Sequence, residues 1–294
     1  MDRTLSADVN IGAIVFSADG KLLRGLCQDN KLRSWDIASG AIRQTLAFED
    51  GDLAPVFTAN GLTTMGKDGS LKTWDLVTGK VAKRLPGAGR HSRRVVAPAD
   101  GSAYLSDGRT EIKVRALDAN GKEKFVVPSG LGGLGAFAIS PDGSNVVAAS
   151  YDADVRAWNS RNGELLRLID ELPVSMFDLK FSPDGKWLAA AGADRILYLY
   201  DTKTWKQSRA LSGQPEMISA VAFSPDGNRI ATGGFSELTQ KNAVKVLVWD
   251  VKSGTKVRVF DAKQRVSSVV FSPDGGSLAV STGTKTVEVW QVAG

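Results

Sequence analysis

A tetrapeptide that returns at nearly constant spacing constrains this chain more than any other feature of its sequence. Four copies are identical: Ser140-Pro141-Asp142-Gly143, Ser182-Pro183-Asp184-Gly185, Ser224-Pro225-Asp226-Gly227 and Ser272-Pro273-Asp274-Gly275. Three are degenerate: Ser17-Ala18-Asp19-Gly20, Thr58-Ala59-Asn60-Gly61 and Pro98-Ala99-Asp100-Gly101. Successive glycines lie 40 to 42 residues apart, except for a last step of 48. A period of that length belongs to stacked supersecondary units, each too small to bury an apolar face alone. Seven copies predict seven units within one domain of 294 residues.

Each tetrapeptide reads as a tight turn, with proline presetting φ at its second position and Asp-Gly supplying a side-chain hydrogen bond and a positive φ. Short apolar runs flank it. Ala13-Ile14-Val15-Phe16, Ala220-Val221-Ala222-Phe223 and Ser268-Val269-Val270-Phe271 come before; Leu188-Ala189-Ala190-Ala191 and Ile230-Ala231-Thr232 come after. Runs this short and this apolar predict strands buried on both faces. A third strand carries a second marker, seen in Ser34-Trp35-Asp36, Thr73-Trp74-Asp75, Ala157-Trp158-Asn159, Leu199-Tyr200-Asp201, Val248-Trp249-Asp250 and Val289-Trp290-Gln291; unit three has Arg115-Ala116 instead. A further turn such as Ser39-Gly40 or Asn162-Gly163 then leads to a fourth strand, for example Ile42-Arg43-Gln44-Thr45-Leu46.

Six near-matches to Trp-Asp in register with seven turns resemble the repeat of the WD40 family along the whole chain. The expected fold is all-β, a single seven-bladed WD40-type β-propeller with four antiparallel strands per blade. Blades are expected at about 11–47, 52–86, 92–127, 134–169, 174–211, 217–260 and 265–292 plus 3–8. The last unit lacks a fourth strand and the N-terminus has a surplus one, so residues 3–8 are expected to complete the last blade and close the ring. The family usually carries a Gly-His pair ahead of the first strand, whose imidazole joins a relay to an Asp, a Ser or Thr, and the Trp. None of the seven units has that pair. The Asp recurs at Asp29, Asp68, Asp107, Asp152 and Asp194, where it is expected to cap its own turn. Identical turns without Gly-His pairs resemble bacterial members of the family.

Cys27 and His91 are the only residues of their kinds, which excludes an intrachain disulfide and a zinc site built mainly from Cys and His. No metal and no cofactor are expected. No apolar run reaches the roughly 18 residues that span a bilayer, and Met1 to Ser6 lack a signal peptide's apolar stretch. The chain is therefore expected to be soluble, cytoplasmic and monomeric, alone or as a domain of a longer protein. A formal net charge of +5 is mild and interspersed, a weak basis for nucleic-acid binding. The basic run from Lys83 to Arg94 lacks the interleaved aromatics that base stacking needs.

Gly130-Leu131-Gly132-Gly133-Leu134-Gly135 matches the dinucleotide fingerprint in letters, but no helix follows it, so it is read as a crossover loop. Aligned first strands are small or apolar except at Arg94, Asp178 and Lys180. These three place polar groups toward the expected central channel, or Asp178 and Lys180, two apart on one strand face, simply compensate each other. The resemblance puts partner binding on the face made by second-to-third-strand loops and interblade connections. That face includes Arg90, His91, Arg109, Tyr151, Asp154, Arg195, Gln214 and Phe235, together with Asp50, Lys263 and Arg265. Aromatic and Arg side chains there are favoured interface anchors. The insertion Phe235 to Asn242 extends from the same face. The expected function is a non-catalytic scaffold for protein or peptide partners, with no catalytic residues. The alternatives are a channel-centred hydrolase or lyase using Arg94, Asp178 and Lys180, and an anion or nucleic-acid binder.

Overall fold

The computed structural model describes residues 2–48, 53–58, 61–66, 70–85, 94–96, 103–107, 111–118, 120, 122–131, 134–150, 154–169, 174–236 and 244–292. Its regular elements are all strands. After β1 (Arg3–Ser6) come β2 (Ile11–Phe16), β3 (Leu22–Cys27), β4 (Lys31–Asp36) and β5 (Ile42–Ala47). The next blade holds β6 (Leu53–Thr58), β7 (Gly61–Met65), β8 (Leu71–Trp74) and β9 (Val81–Leu85). It is followed by β10 (Arg94–Val96), β11 (Ala103–Asp107), β12 (Glu111–Leu117) and β13 (Glu123–Leu131). The fourth blade is β14 (Leu134–Ile139), β15 (Asn145–Ser150), β16 (Val155–Asn159) and β17 (Leu165–Ile169). The fifth is β18 (Met176–Phe181), β19 (Trp187–Gly192), β20 (Leu197–Asp201) and β21 (Lys206–Leu211). The sixth is β22 (Met217–Phe223), β23 (Arg229–Phe235), β24 (Val244–Asp250) and β25 (Lys256–Ala262). The chain finishes with β26 (Ser268–Phe271), β27 (Ser277–Ser281) and β28 (Thr286–Gln291).

The expectation of seven blades in one closed ring needs correcting. Six blades, not seven, are contiguous four-stranded meanders; the remaining four-stranded sheet is a composite in the order β1-β28-β27-β26. The chain also divides into two compact units, residues 1–47 with 182–294, and residues 48–181, the division falling just after β18. Each unit has its own apolar clusters. In the first, Leu5, Ile11, Trp35 and Val287 pack together, as do Val246, Leu278 and Trp290, and Ala189, Leu199 and Trp249. In the second, Ala116 packs with Phe137, Val146 and Trp158.

The repeated turn works as its residues suggest. In five described copies the serine hydroxyl donates to the aspartate at 2.5–2.6 Å, at Ser17, Ser140, Ser182, Ser224 and Ser272. The same carboxylate oxygen accepts an amide from two residues on at 2.9–3.1 Å, and the glycines hold φ between +69° and +72°. Ser17-Ala18-Asp19-Gly20 forms the same turn without proline, so the Ser-Asp bond and the glycine carry the geometry. Within the first unit the turns also touch. A Cβ on Gly20 would lie 3.6 Å from Pro273, one on Gly275 3.7 Å from Pro225, and one on Gly227 4.0 Å from Pro183.

Burial follows strand position. Second and third strands such as β19 and β20 are almost wholly buried, whereas first strands such as β2 and β18 alternate buried with half-exposed residues. The expectation that first strands bury both faces fails because each has a hydrogen-bonded neighbour on one side only. The third-strand rings Trp35, Trp74, Trp158, Tyr200, Trp249 and Trp290 are all buried. At five of them the pairing with the fourth strand shifts register, at Trp35, Trp74, Trp158, Tyr200 and Trp249. Of residues 130–135, expected as a crossover loop, the described ones belong to strands that flank the passage from the third blade to the fourth. β13 runs to Leu131 and β14 starts at Leu134, while Gly132 and Gly133 lie outside the described residues. A Cβ on Gly135 would sit 2.2 Å from the Met176 carbonyl oxygen, so that glycine serves a close backbone approach.

In the composite sheet β1 pairs antiparallel with β28, Arg3 opposite Val289 and Ser6 opposite Thr286. Leu5 is 1% exposed and the Trp35 indole donates to the Ser6 carbonyl at 2.8 Å, which ties β1 to both neighbours. Leu5→Ala is expected to lower the free energy of unfolding by about 2–5 kcal/mol. Thr4→Ala, on the exposed face of the same strand, should shift it by less than about 0.5 kcal/mol. Urea unfolding of both variants checks this, and equal midpoints would mean that β1 contributes nothing to the core.

The turn aspartates make stability depend on acid. Burial pushes the Asp184 carboxyl up, but bonds from Ser182 and Lys186 prevail and hold it at about 2, against an ordinary 3.8. Asp36, bonded by the Ser39 amide and hydroxyl and by Arg43, also lies at about 2. A carboxyl held low in the folded state stabilises it above its unfolded pKa, and that contribution disappears as pH falls through the folded value. The wild-type advantage over Asp184→Asn should thus be full at neutral pH and shrink between about pH 4 and about pH 2. Denaturation midpoints across that window test the sign, which a constant gap would contradict.

Candidate functional site

Of the residues expected to bind partners, Asp154, Arg195, Gln214, Phe235, Lys263 and Arg265 are described, and they sit where second strands run into third strands or fourth strands into the next first strand. In the first unit this end is built by buried hydrogen bonds. The Trp249 indole on β24 donates to Thr232 Oγ1 on β23 at 3.0 Å, and Thr232 donates to Gln214 Oε1 at 2.9 Å. Gln214 Nε2 in turn donates to Glu216 at 3.1 Å and to the Lys245 carbonyl at 2.8 Å, while the Lys245 amide donates to Glu216 at 3.3 Å. Gln214 is 3% exposed and Glu216 9%.

Gln214 therefore cannot be the surface contact that the sequence suggested. It occupies the relay position from which an imidazole is missing, because an amide both accepts from the threonine and donates onward. Gly213-Gln214 ahead of β22 was the signal that could have revealed this. In the second blade the Trp74 indole likewise donates to a threonine hydroxyl, Thr64, at 2.7 Å. Burying the relay leaves no spare water to replace a lost partner. Gln214→Leu is expected to destabilise by about 1–3 kcal/mol, and Gln214→His to recover most of that. Thermal unfolding of the two variants decides it, since equal loss would assign Gln214 to packing alone.

Of the recurrent aspartates, Asp29 and Asp194 do more than cap their own turns. Asp29 receives Arg33 at 2.8 and 2.9 Å, and Asp194 receives the Tyr198 hydroxyl at 2.7 Å beside a longer amide contact. Both bonds reach four residues along, onto the third strand, so the carboxylate pins the hairpin to the sheet. Asp154 is likewise occupied, by Arg156. Asp68 and Asp152 lie outside the described residues, and Asp107 is described only as part of β11.

Phe235, at the end of β23, is half-buried with Arg265 stacked on its ring, 5.0 Å from guanidinium carbon to centroid. The connection carrying Arg265 is fastened to the sixth blade. The Val266 amide donates to the Gly234 carbonyl at 2.7 Å and Ser219 Oγ donates to the Val266 carbonyl at 3.0 Å. Bare glycines permit this, since a Cβ on Gly233 would meet Val266 at 2.8 Å and one on Gly234 would meet the Met217 carbonyl oxygen at 1.6 Å. Arg195 is exposed at a hairpin tip with φ +69°, a conformation disfavoured for its side chain. The column that suggested chemistry closes on itself in part. Asp178 and Lys180 form an ion pair at 3.6 Å, the lysine 52% exposed. Arg94 is described only as the start of β10, and Arg90, His91, Arg109, Tyr151 and Asp50 lie outside the described residues. Among the described residues no three His, Cys, Asp or Glu side chains gather where a metal ion could be held. Nor is any helix there long and apolar enough to cross a membrane.

The WD domain, G-beta repeat family matches at residues 114–159, 171–201, 205–237 and 254–291, about half of the chain. Autophagy-related protein 16 of Arabidopsis thaliana is 27% identical over 149 residues, which cover 49% of this chain. The match spans 29% of that plant protein's length.

Proposed function

Since the chain belongs to the WD-repeat family, we propose that it is a non-catalytic scaffold that binds protein or peptide partners at the loop end of its blades. The supporting observation is the contrast within the first unit between a fixed backbone and a presented surface. Buried bonds through Gln214, Thr232, Glu216 and Val266 hold the connections into the sixth and last sheets, while Arg265 on one of them, half-buried Phe235 beside it and Arg195 on a hairpin of the fifth blade reach the surface at the same end. Aromatic and guanidinium side chains whose mobility is already spent lose little entropy on binding, which is what an interface anchor requires. The mutual engagement of Asp178 and Lys180 favours this reading over an acid-base role for either. The proposal extends to Tyr151, Arg109, Arg90 and His91 on their positions in the sequence repeat alone.

The test uses the immobilised full chain. A partner captured from extract, then purified and shown to bind in fixed stoichiometry, should lose at least about tenfold in affinity to a Tyr151→Ala/Phe235→Ala variant. A hydrolytic or lyase turnover that vanishes in Asp178→Asn would overturn the scaffold reading.

A further inference from the structure

The loop end of the first unit is electrostatically lopsided. Arg195, Lys263, Arg265 and Lys285 are exposed there, and none of the four has an acidic side chain in ion-pair contact among the described residues. The carboxylates at the same end are mostly engaged. Asp29 is taken by Arg33, Asp194 by Tyr198, Glu216 by Gln214 and the Lys245 amide, and Asp261 by Lys245. Asp8 is exposed, and Glu288, 7% exposed, feels the charge of Lys263. Among the described residues the balance of unengaged charge is positive, and Arg265 is the one of these cations that lies over an aromatic ring. With its guanidinium carbon 5.0 Å from the Phe235 ring centroid and no carboxylate on it among those residues, Arg265 keeps its fork of N–H groups available for a partner's carboxylate.

We infer that this end of the first unit takes an acidic, partly apolar peptide segment, an Asp or Glu carboxylate of the partner docking on Arg265 and an adjacent apolar side chain lying against Phe235. The inference rests on the scaffold reading and gives its partner a chemistry. A single-stranded nucleic acid would ask for a series of aromatic platforms along its track, and among the described residues at this end Phe235 is the one such ring. Charge complementarity therefore selects a protein partner, with the exposed Lys263 and Arg195 at the same end raising the encounter rate.

The experiment is selection from a displayed library of random peptides on the full chain and, separately, on Arg265→Ala, with thermal unfolding confirming that both are folded. The wild type should enrich peptides with Asp or Glu next to an apolar residue, and the variant should not. A resynthesised peptide should lose about tenfold in affinity, or 1.4 kcal/mol, when its acid becomes the amide, and a similar amount on Arg265→Ala. Arg265→Lys should restore only part, because an ammonium lacks the fork. Arg258→Ala, on an exposed outer-strand residue, should change nothing. Enriched peptides without acidic residues, or undiminished binding to Arg265→Ala, would overturn the inference while leaving the scaffold reading intact. A phosphoserine version that binds over about tenfold tighter would reassign the site to phosphopeptides. Displacement by an oligothymidylate below the peptide's own concentration range would reassign it to nucleic acid. Enrichment of no sequence at all would overturn the scaffold reading together with this inference.

Discussion

The bond from a serine hydroxyl to an aspartate two residues later is the interaction on which the rest of the molecule depends. It closes the turn between the first and second strands of a blade, and the glycine that follows completes the reversal with a positive φ. Because the turn is made locally, the register of that strand pair does not depend on distant contacts. In the first unit the turns of successive sheets also lie against each other, proline against glycine, and Arg229 reaches the Gly275 carbonyl at 2.9 Å. A motif that first organises one hairpin therefore helps to space its neighbours.

At the opposite end of the blades the chain relies on long-range bonds. The Trp249-Thr232-Gln214 chain ties a third strand, a second strand and an incoming connection into one buried unit. The Ser6 carbonyl performs a related service for Trp35 in the composite sheet, where β1 comes from the other end of the chain. A buried indole N–H needs an acceptor, and here it is a threonine hydroxyl for Trp74 and Trp249 and a backbone carbonyl for Trp35. Such variety explains how the repeat tolerates losing its imidazole. It also explains why the loops at this end are held firmly enough to present side chains in fixed positions.

Presentation is the functional theme that emerges. Among the described residues, most acids of the first unit's loop end have partners of their own, while the exposed Arg265 guanidinium lies over an aromatic ring. The Arabidopsis relative shares the repeat over less than a third of its own length, so the likeness speaks to the blade and leaves the partner to be settled by surface chemistry.

The sequence by itself determined what a short stretch of chain can decide: the turns, the strand order within a blade, the buried third-strand aromatics, and the pairing of residues near Arg3 with the last strand. These rest on period, turn chemistry and apolar runs, which are local and repeated. Tertiary structure decided the division into two compact units, with six contiguous blades and one composite sheet, because that follows from how clusters such as Leu5-Trp35-Val287 pack across strands from opposite ends of the chain. It alone showed Gln214 as a buried relay, since an amide in a connection looks identical in sequence whether it faces water or Thr232. It alone brought Arg265 onto Phe235, thirty residues away, because that approach depends on two glycines in β23 whose importance is a matter of clearance in space.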